Sequence, residues 1–230
     1  MKSTLLLLHG ALGGKSQLES LKKILENDYE IHLLNFEGHG DKISDNEFSI
    51  ELFAKNLLDY LNQNQLEKVN VFGYSMGGYV ALHLATQHPN RFEKIITLGT
   101  KFKWNPEEAT KETRMLNPEK IEEKVPAFAN YLNQLHTAQS WKINMQKTAA
   151  MIMNLGNGAN MKDTDFSTIT SKCFIGVGDS DTMVTAEETQ YIAEIIPNAE
   201  FYLLENTIHP IDKIDFEKVA FQICALATSN

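Results

Sequence analysis

The fold is decided by the stretch Gly73-Tyr74-Ser75-Met76-Gly77-Gly78, which lies between a strand-like apolar run, 68–72, and a helical segment, 78–87, that ends before Pro89. A G-x-S-x-G pattern at a strand-to-helix junction is typical of a nucleophile elbow, a sharp turn that strains the backbone of the serine. The flanking glycines leave room for neighbouring chain, and the helix N-terminus favours negative charge. The stretch therefore predicts that Ser75 is a catalytic nucleophile.

A serine hydroxyl is a weak nucleophile, so Ser75 needs a base, and the base needs an orienting acid. His209 follows a strand-like run at 200–204, and Asp179 and Asp181 follow another at 173–177. Loops at the carboxyl ends of parallel strands meet at one edge of a sheet. The chain order serine, aspartate, histidine is also the order that G-x-S-x-G hydrolases use.

Two aspartates compete for the role of the acid. Asp181 is favoured because it lies further into its loop and is followed three residues later by Val184, whereas Asp179 is interpreted as a turn residue that accepts backbone hydrogen bonds. Among the other histidines, His9 and His39 lie in glycine turns and are expected to hold loop geometry. His136 could contact substrate.

Catalysis by a nucleophilic serine also requires two backbone N–H groups that point at one oxyanion. Met76, which follows the nucleophile, is predicted to supply one of them. The second is expected from the glycine-rich loop after the first strand, His9-Gly10-Ala11-Leu12-Gly13-Gly14. We assign it to Ala11, with Leu12 as the alternative.

Short apolar strands alternate with amphipathic helices along most of the chain, which predicts a doubly wound, mostly parallel α/β sheet. Residues 101–166 break this rhythm, because no convincing strand occurs there and helical spacing dominates. We therefore expect a core domain formed by 1–100 and 167–230, and a helical cap, or lid, inserted at 101–166.

The chain resembles the α/β-hydrolase superfamily over nearly its whole length. The resemblance rests on five motifs in the family's order: Leu-Leu-His-Gly-Ala at 7–11, Gly-His-Gly at 38–40, Gly-Tyr-Ser-Met-Gly-Gly at 73–78, Gly-Asp-Ser-Asp at 178–181 and His209-Pro210. It implies the α/β-hydrolase fold, a Ser75–His209–Asp181 triad, an acyl-enzyme intermediate and a helical cap. Members with an aspartate nucleophile are disfavoured by Ser75. The stretch 35–42 contains the Gly-His-Gly motif at 38–40, but the residues that flank these glycines depart from the family pattern.

Composition excludes several other classes of protein. The chain has 230 residues and a formal net charge of −9 at pH 7, which argues against a nucleic-acid binder. Cys173 and Cys224 form no ligand cluster or disulfide framework. The apolar run Leu5–Leu8 is far shorter than the roughly 20 residues of a membrane span, and it lacks signal-peptide features. A cytoplasmic protein is expected, as a monomer or homodimer.

The composition of the 101–166 segment indicates the substrate class. The segment is rich in Met and Trp and carries nine basic and eight acidic residues, which favours an adaptable and nearly neutral apolar chamber. Arginine is scarce, so strongly anionic substrates are disfavoured. We expect a small, largely apolar ester or related acyl compound, with no metal or organic cofactor. The candidate substrate contacts are Leu12, Tyr74, Trp104, Trp141 and Met145.

Other functions remain open at this point. A lyase, an acyltransferase or a C–C bond hydrolase could use the same residues, and a non-catalytic member of the fold could bind a small ligand in the same pocket. The stretch 10–16 approaches a phosphate-binding G-x-x-x-x-G-K-[ST] loop but has His9 where the first glycine is required.

Overall fold

A computed structural model describes residues 2–228; Met1 and residues 229–230, at the ends of the predicted core domain, lie outside the described residues. The strands of its sheet are β1 (Ser3–Leu8), β2 (Tyr29–Leu34), β3 (Val69–Tyr74), β4 (Phe92–Leu98), β5 (Lys172–Gly178) and β6 (Ala199–Leu204). They form one six-stranded sheet in the order β2-β1-β3-β4-β5-β6, and every neighbouring pair is parallel. The predicted parallel α/β sheet is confirmed.

The helices lie between these strands, except for the last one, which follows β6. They are α1 (Glu19–Leu25), α2 (Ile50–Gln63), α3 (Met76–Gln87), α4 (Pro106–Thr113), α5 (Pro118–Lys124), α6 (Pro126–Leu135), α7 (Trp141–Asn154), α8 (Asp163–Phe166), α9 (Ala186–Ile195) and α10 (Phe216–Thr228). Proline starts α4, α5 and α6, as expected for a residue that has no N–H to leave unpaired in the first turn. No helix within 2–228 combines the length and the apolar character that a bilayer span requires.

The sheet is covered on both faces. Side chains alternate along a strand, so Leu5 and Leu7 of β1 pack into the cluster that contains α1 and α10. Leu6 and Leu8 pack on the opposite face, in the cluster that contains α2 and α3. This two-sided burial explains why β1 is a continuous apolar run rather than an alternating one.

The strand order reverses between β1 and β3, which lie side by side with Leu8 in register with Gly73. Loops that leave the carboxyl ends of two such strands diverge and open a crevice at the edge of the sheet. Ser75 follows β3 at this crevice, and the loop 9–14 follows β1. The topology therefore brings the elbow and the predicted oxyanion loop together.

The 101–166 segment contains α4 to α8 and no strand. Part of it has a small core of its own, formed by Ala129, Leu132, Trp141 and Met145. Met151, Leu155, Met161 and Phe166 instead join the main core beside α3. The C-terminal part of the segment is thus packed against the sheet domain, and its description as a separate cap remains a prediction.

Candidate active site

The turn at Ser75 has the strained geometry of an elbow. Its backbone has φ 50° and ψ −118°, in the left-handed region that residues with a side chain rarely adopt. Two hydrogen bonds hold it, from the Ser75 N–H to the Leu98 carbonyl at 2.9 Å and from the Thr100 hydroxyl to the Ser75 carbonyl at 2.9 Å. A Cβ at Gly77 would lie 2.6 Å from the Leu8 carbonyl oxygen, so only glycine fits against β1.

His209 and Asp181 form a buried pair beside the elbow. The His209 Nδ1 lies 2.7 Å from Asp181 Oδ2, and the two side chains are 11% and 2% exposed. Burial by itself raises the pKa of the Asp181 carboxyl, but hydrogen bonds from His209, Val184 and Met183 bring that pKa below its ordinary value. A carboxylate facing Nδ1 places the proton on that nitrogen and leaves Nε2 as the acceptor.

The other oxygen of Asp181 explains why this aspartate, and not Asp179, faces the histidine. Its Oδ1 accepts hydrogen bonds from the N–H groups of Met183 at 2.8 Å and Val184 at 2.9 Å, which fix the carboxylate in its loop. Asp179 accepts instead from the N–H of Thr207 at 3.2 Å. It therefore holds the loop that leads to His209 in the manner expected of a turn residue.

Tyr74 supplies a contact that sequence reasoning missed. Its hydroxyl donates a hydrogen bond to the carbonyl of His209, and the two rings lie 5.6 Å apart. Buried tyrosines usually pair their hydroxyl with an acceptor, but the sequence gives no sign that this acceptor is His209. The residue before Ser75 thus also fixes the backbone of His209.

Two cavities meet at Ser75 and His209. An inner chamber of about 100 Å³ is almost wholly apolar, with Tyr79, Trp104, Met151 and Leu155 in its walls. A wider outer cleft of about 820 Å³ runs past Leu12, Tyr74, Phe128 and Tyr131 to the surface. The residues common to both cavities are Ala11, Ser75, Glu112, Ile152, Met183 and His209.

Of the predicted oxyanion donors, Ala11 lies at this junction and Met76 lines the inner chamber only. Ala11 and Met76 both line the inner chamber beside Ser75. Met76 is the first residue of α3, where backbone N–H groups have no partner within the helix. Among residues 2–228, neither the Ala11 nor the Met76 N–H donates a hydrogen bond to another protein group. Both donors are therefore available to an oxygen bound near Ser75.

The expected substrate contacts divide into two groups. Trp104 lines the inner chamber, and Leu12 and Tyr74 line the outer cleft. Trp141 and Met145 line neither cavity, because they are buried in the small core of the 101–166 segment, at 5% and 0% exposure. The expectation that these two residues contact substrate is thus not supported by their positions.

Lys101 and Glu112 are further cavity residues that the sequence did not reveal. Both line the inner chamber, and the Lys101 ammonium lies 3.6 Å from Glu112 and 3.0 Å from Glu108. The ammonium also lies 5.7 Å from the centre of the Trp104 ring, within cation–π range. The positive charge of Lys101 is therefore paired where it meets the apolar chamber.

His9 and His39 occupy the loop-holding positions expected of them. His9 contacts the Gly10 carbonyl through Nδ1 at 2.8 Å and accepts the Phe36 N–H at Nε2, and the His39 Nδ1 contacts the Glu37 carbonyl at 2.9 Å. Burial lowers the pKa of His9 to about 4 and that of His39 well below its ordinary value. Both rings are therefore neutral near pH 7.

The loop that approaches a phosphate-binding pattern is tied down by other contacts. The Lys15 ammonium lies 3.1 Å from Asp41, and the Lys15 N–H donates to Asn35 Oδ1 at 2.6 Å.

Over the part of the chain that the structure describes, no three His, Cys, Asp or Glu side chains converge as ligands for a metal ion.

Comparisons with known proteins agree with this architecture. A family model described as alpha/beta hydrolase fold matches residues 3–156. A Haemophilus influenzae protein named as a candidate esterase/lipase is 23% identical over 233 residues, which cover 92% of this chain and 79% of that protein. Esterase YbfF of Escherichia coli is 29% identical over 96 residues, which cover 42% of this chain and 38% of the esterase. The solved structure of a thermophilic esterase from Thermogutta terrifontis superposes with a TM-score of 0.78 at 19% identity, covering 99% of this chain and 90% of that chain.

Proposed function

The chain belongs to the α/β-hydrolase fold family, and on that premise we propose that it is a serine hydrolase that cleaves an ester or related acyl bond of a small, largely apolar substrate. Relatives named as esterases support ester hydrolysis in general. The observation that carries the proposal for this chain is the buried Asp181–His209 pair beside the strained elbow of Ser75.

In the proposed reaction, the Ser75 hydroxyl attacks the acyl carbonyl while His209 Nε2 accepts its proton. Asp181 holds the ring through Nδ1 and stabilises the imidazolium that forms. The negative oxygen of the tetrahedral intermediate accepts hydrogen bonds from the Ala11 and Met76 N–H groups. His209 then protonates the leaving group, and a water molecule activated by the same nitrogen hydrolyses the acyl-enzyme. The chemistry needs no metal or organic cofactor.

The two cavities support an assignment of the two halves of the substrate. The inner chamber is the smaller of the two and almost wholly apolar, so it fits the acyl chain. The outer cleft passes Pro210 and Ile211, which follow the catalytic histidine, and reaches the surface. It fits the alcohol, because the leaving group must take a proton from His209 and then depart. In this proposal the 101–166 segment acts as a cap that supplies Trp104 to the acyl side.

A panel of acyl esters that vary in chain length and charge, assayed beside Ser75→Ala, tests this function. The wild-type protein should hydrolyse short neutral esters, and Ser75→Ala should lose turnover by several orders of magnitude, up to about 10⁶-fold, while its thermal unfolding stays unchanged. Equal turnover by the two proteins would refute the assignment of Ser75 as the nucleophile. Covalent labelling of Ser75 without hydrolysis of any ester would favour an acyltransferase, a lyase or a ligand-binding member of the fold.

A further inference from the structure

His136, the residue that follows α6, joins two loops that lie far from it in sequence. The residue is 4% exposed. The Nδ1 atom accepts the Gly40 N–H at 3.1 Å, and Nε2 lies 3.1 Å from the Leu12 carbonyl oxygen. A backbone N–H can only donate and a carbonyl can only accept, so these contacts require a neutral ring that carries its proton on Nε2. Burial lowers the pKa of His136, which favours that neutral form.

The carbonyl that His136 holds belongs to a strained residue. Leu12 has φ 57°, a left-handed conformation that is strained for a residue with a side chain. Such a conformation persists only where surrounding contacts impose it. Leu12 follows Ala11, the predicted oxyanion donor, and both residues line the outer cleft. The Leu12 carbonyl shares a peptide unit with the Gly13 N–H, which donates to the Gly10 carbonyl at 3.2 Å. Because the Gly10 carbonyl shares a peptide unit with the Ala11 N–H, the orientation of that N–H depends on how the backbone of Leu12 is held.

We propose that His136 is a positioning residue that keeps the 10–13 loop in the conformation in which the Ala11 N–H faces the reacting carbonyl. This inference rests on the proposed serine hydrolase function. The donor to Leu12 comes from the 101–166 segment, and the Leu12 side chain also packs against the small core of that segment. The position of the segment and the geometry of the oxyanion site are therefore coupled at Leu12. His136 itself does not line either cavity and touches no reacting atom.

Other contacts keep the polypeptide around His136 in place without its ring. The N–H groups of Thr137 and Ala138 lie 3.0 Å and 3.4 Å from the Gly40 carbonyl. The Asn144 amide donates to the Gly38 carbonyl at 2.7 Å. These bonds attach the 101–166 segment to the 38–40 turn independently of the imidazole. Substitutions of His136 can therefore separate its two contacts without detaching the segment.

Two conservative variants test the proposal, because each keeps one half of the ring's hydrogen bonding. His136→Gln places an amide N–H near the position of Nε2 and can still donate to Leu12, whereas His136→Asn places an amide oxygen near Nδ1 and can accept only from Gly40. We expect His136→Gln to keep kcat within about 3-fold of wild type. His136→Asn should lose roughly 10- to 100-fold in kcat with little change in KM, a fraction of the 10²–10³-fold that loss of an oxyanion donor costs.

Affinity for a trifluoromethyl ketone with a short acyl chain provides the second readout. Its adduct with Ser75 carries the same oxyanion, so its affinity should fall in parallel with kcat for His136→Asn and remain near wild type for His136→Gln. A purely structural role would lower the thermal stability and change both variants alike. His83→Asn serves as the control, because His83 contacts Gln87 two turns along α3 from Ser75 and lines neither cavity, so its replacement should not change either readout.

The outcomes separate this proposal from the one on which it rests. Equal kcat values for His136→Gln and His136→Asn, with an active wild type, would overturn only the positioning role of His136. Absence of ester turnover by the wild-type protein would overturn both proposals. A selective loss in His136→Asn, rescued in His136→Gln, supports the coupling of the 101–166 segment to the oxyanion loop.

Discussion

Replacement of Trp104 by Ala should change the acyl-chain preference of the protein, because Trp104 forms part of the wall of the inner chamber. The chamber measures about 100 Å³. A cavity of about 150 Å³ holds one benzene molecule, so by proportion the chamber holds about four carbon atoms. Acyl chains should therefore be accommodated up to about the length of a butyryl group and no further.

The expected increase in kcat/KM for each added carbon follows from the burial of one methylene group. Burial of one CH₂ contributes about 0.8 kcal/mol, and 1.36 kcal/mol corresponds to a factor of ten, so kcat/KM should rise about fourfold for each added methylene until the chamber is full. Beyond that length, wild-type kcat/KM should level off or fall. Trp104→Ala removes the indole from the wall, and the rise should continue by several further carbons.

The assay is a series of p-nitrophenyl esters from acetate to decanoate, compared as kcat/KM for each variant. Trp141→Phe is the matched control, because Trp141 lies in the core of the same segment but lines neither cavity. It should lower thermal stability and leave the preferred chain length as in the wild type. An unchanged optimum in Trp104→Ala, or an equal shift in Trp141→Phe, would refute the assignment of the inner chamber to the acyl chain.

Three further predictions concern Tyr74, Asp181 and His9. Tyr74→Phe removes the hydrogen bond to the His209 carbonyl and should lower kcat roughly 3- to 10-fold at unchanged KM, measured with one short ester. Asp181→Asn loses the carboxylate that sets the tautomer of His209 and should lower kcat by about 10⁴-fold, with circular dichroism as the check on folding. Acid should destabilise the protein, because burial lowers the pKa of His9 from 6.5 to about 4 in the folded state. The unfolded chain then binds more protons as the pH falls, so between about pH 7 and pH 5 His9 alone should remove about 2 kcal/mol from the free energy of unfolding. Urea denaturation of wild type and His9→Asn at both pH values measures this loss, and identical pH slopes for the two proteins would contradict it.

The features that could be predicted from the sequence are set by residues that lie close together in the chain. The glycines around Ser75 show where a sharp turn lies, and the place of Asp181 further into its loop, three residues before Val184, favours it over Asp179. The continuous apolar run of β1 identifies a strand buried on both faces. Local patterns of this kind are set by the periods of strands and helices and by the conformational demands of turns.

The features that could not be predicted depend on contacts between segments that are distant in the sequence. Trp104 and Trp141 have the same side chain in the same helical segment, yet one lines the inner chamber and the other fills a small core. The contact of His136 with Leu12 joins residues 124 positions apart, and that of Tyr74 with His209 joins residues 135 positions apart. Which faces of packed elements meet is decided by the whole fold, and no local pattern in the sequence reports it.

The central claim is that Ser75 is a nucleophile activated by the His209–Asp181 pair, and covalent labelling tests it most directly. The folded wild-type protein is treated with a fluorophosphonate probe and examined by intact mass and peptide mapping, beside Ser75→Ala and Asp181→Asn. We predict a single adduct on Ser75, no adduct in Ser75→Ala, and strongly slowed labelling in Asp181→Asn. An unlabelled wild-type protein, or an adduct on another residue, would contradict the account.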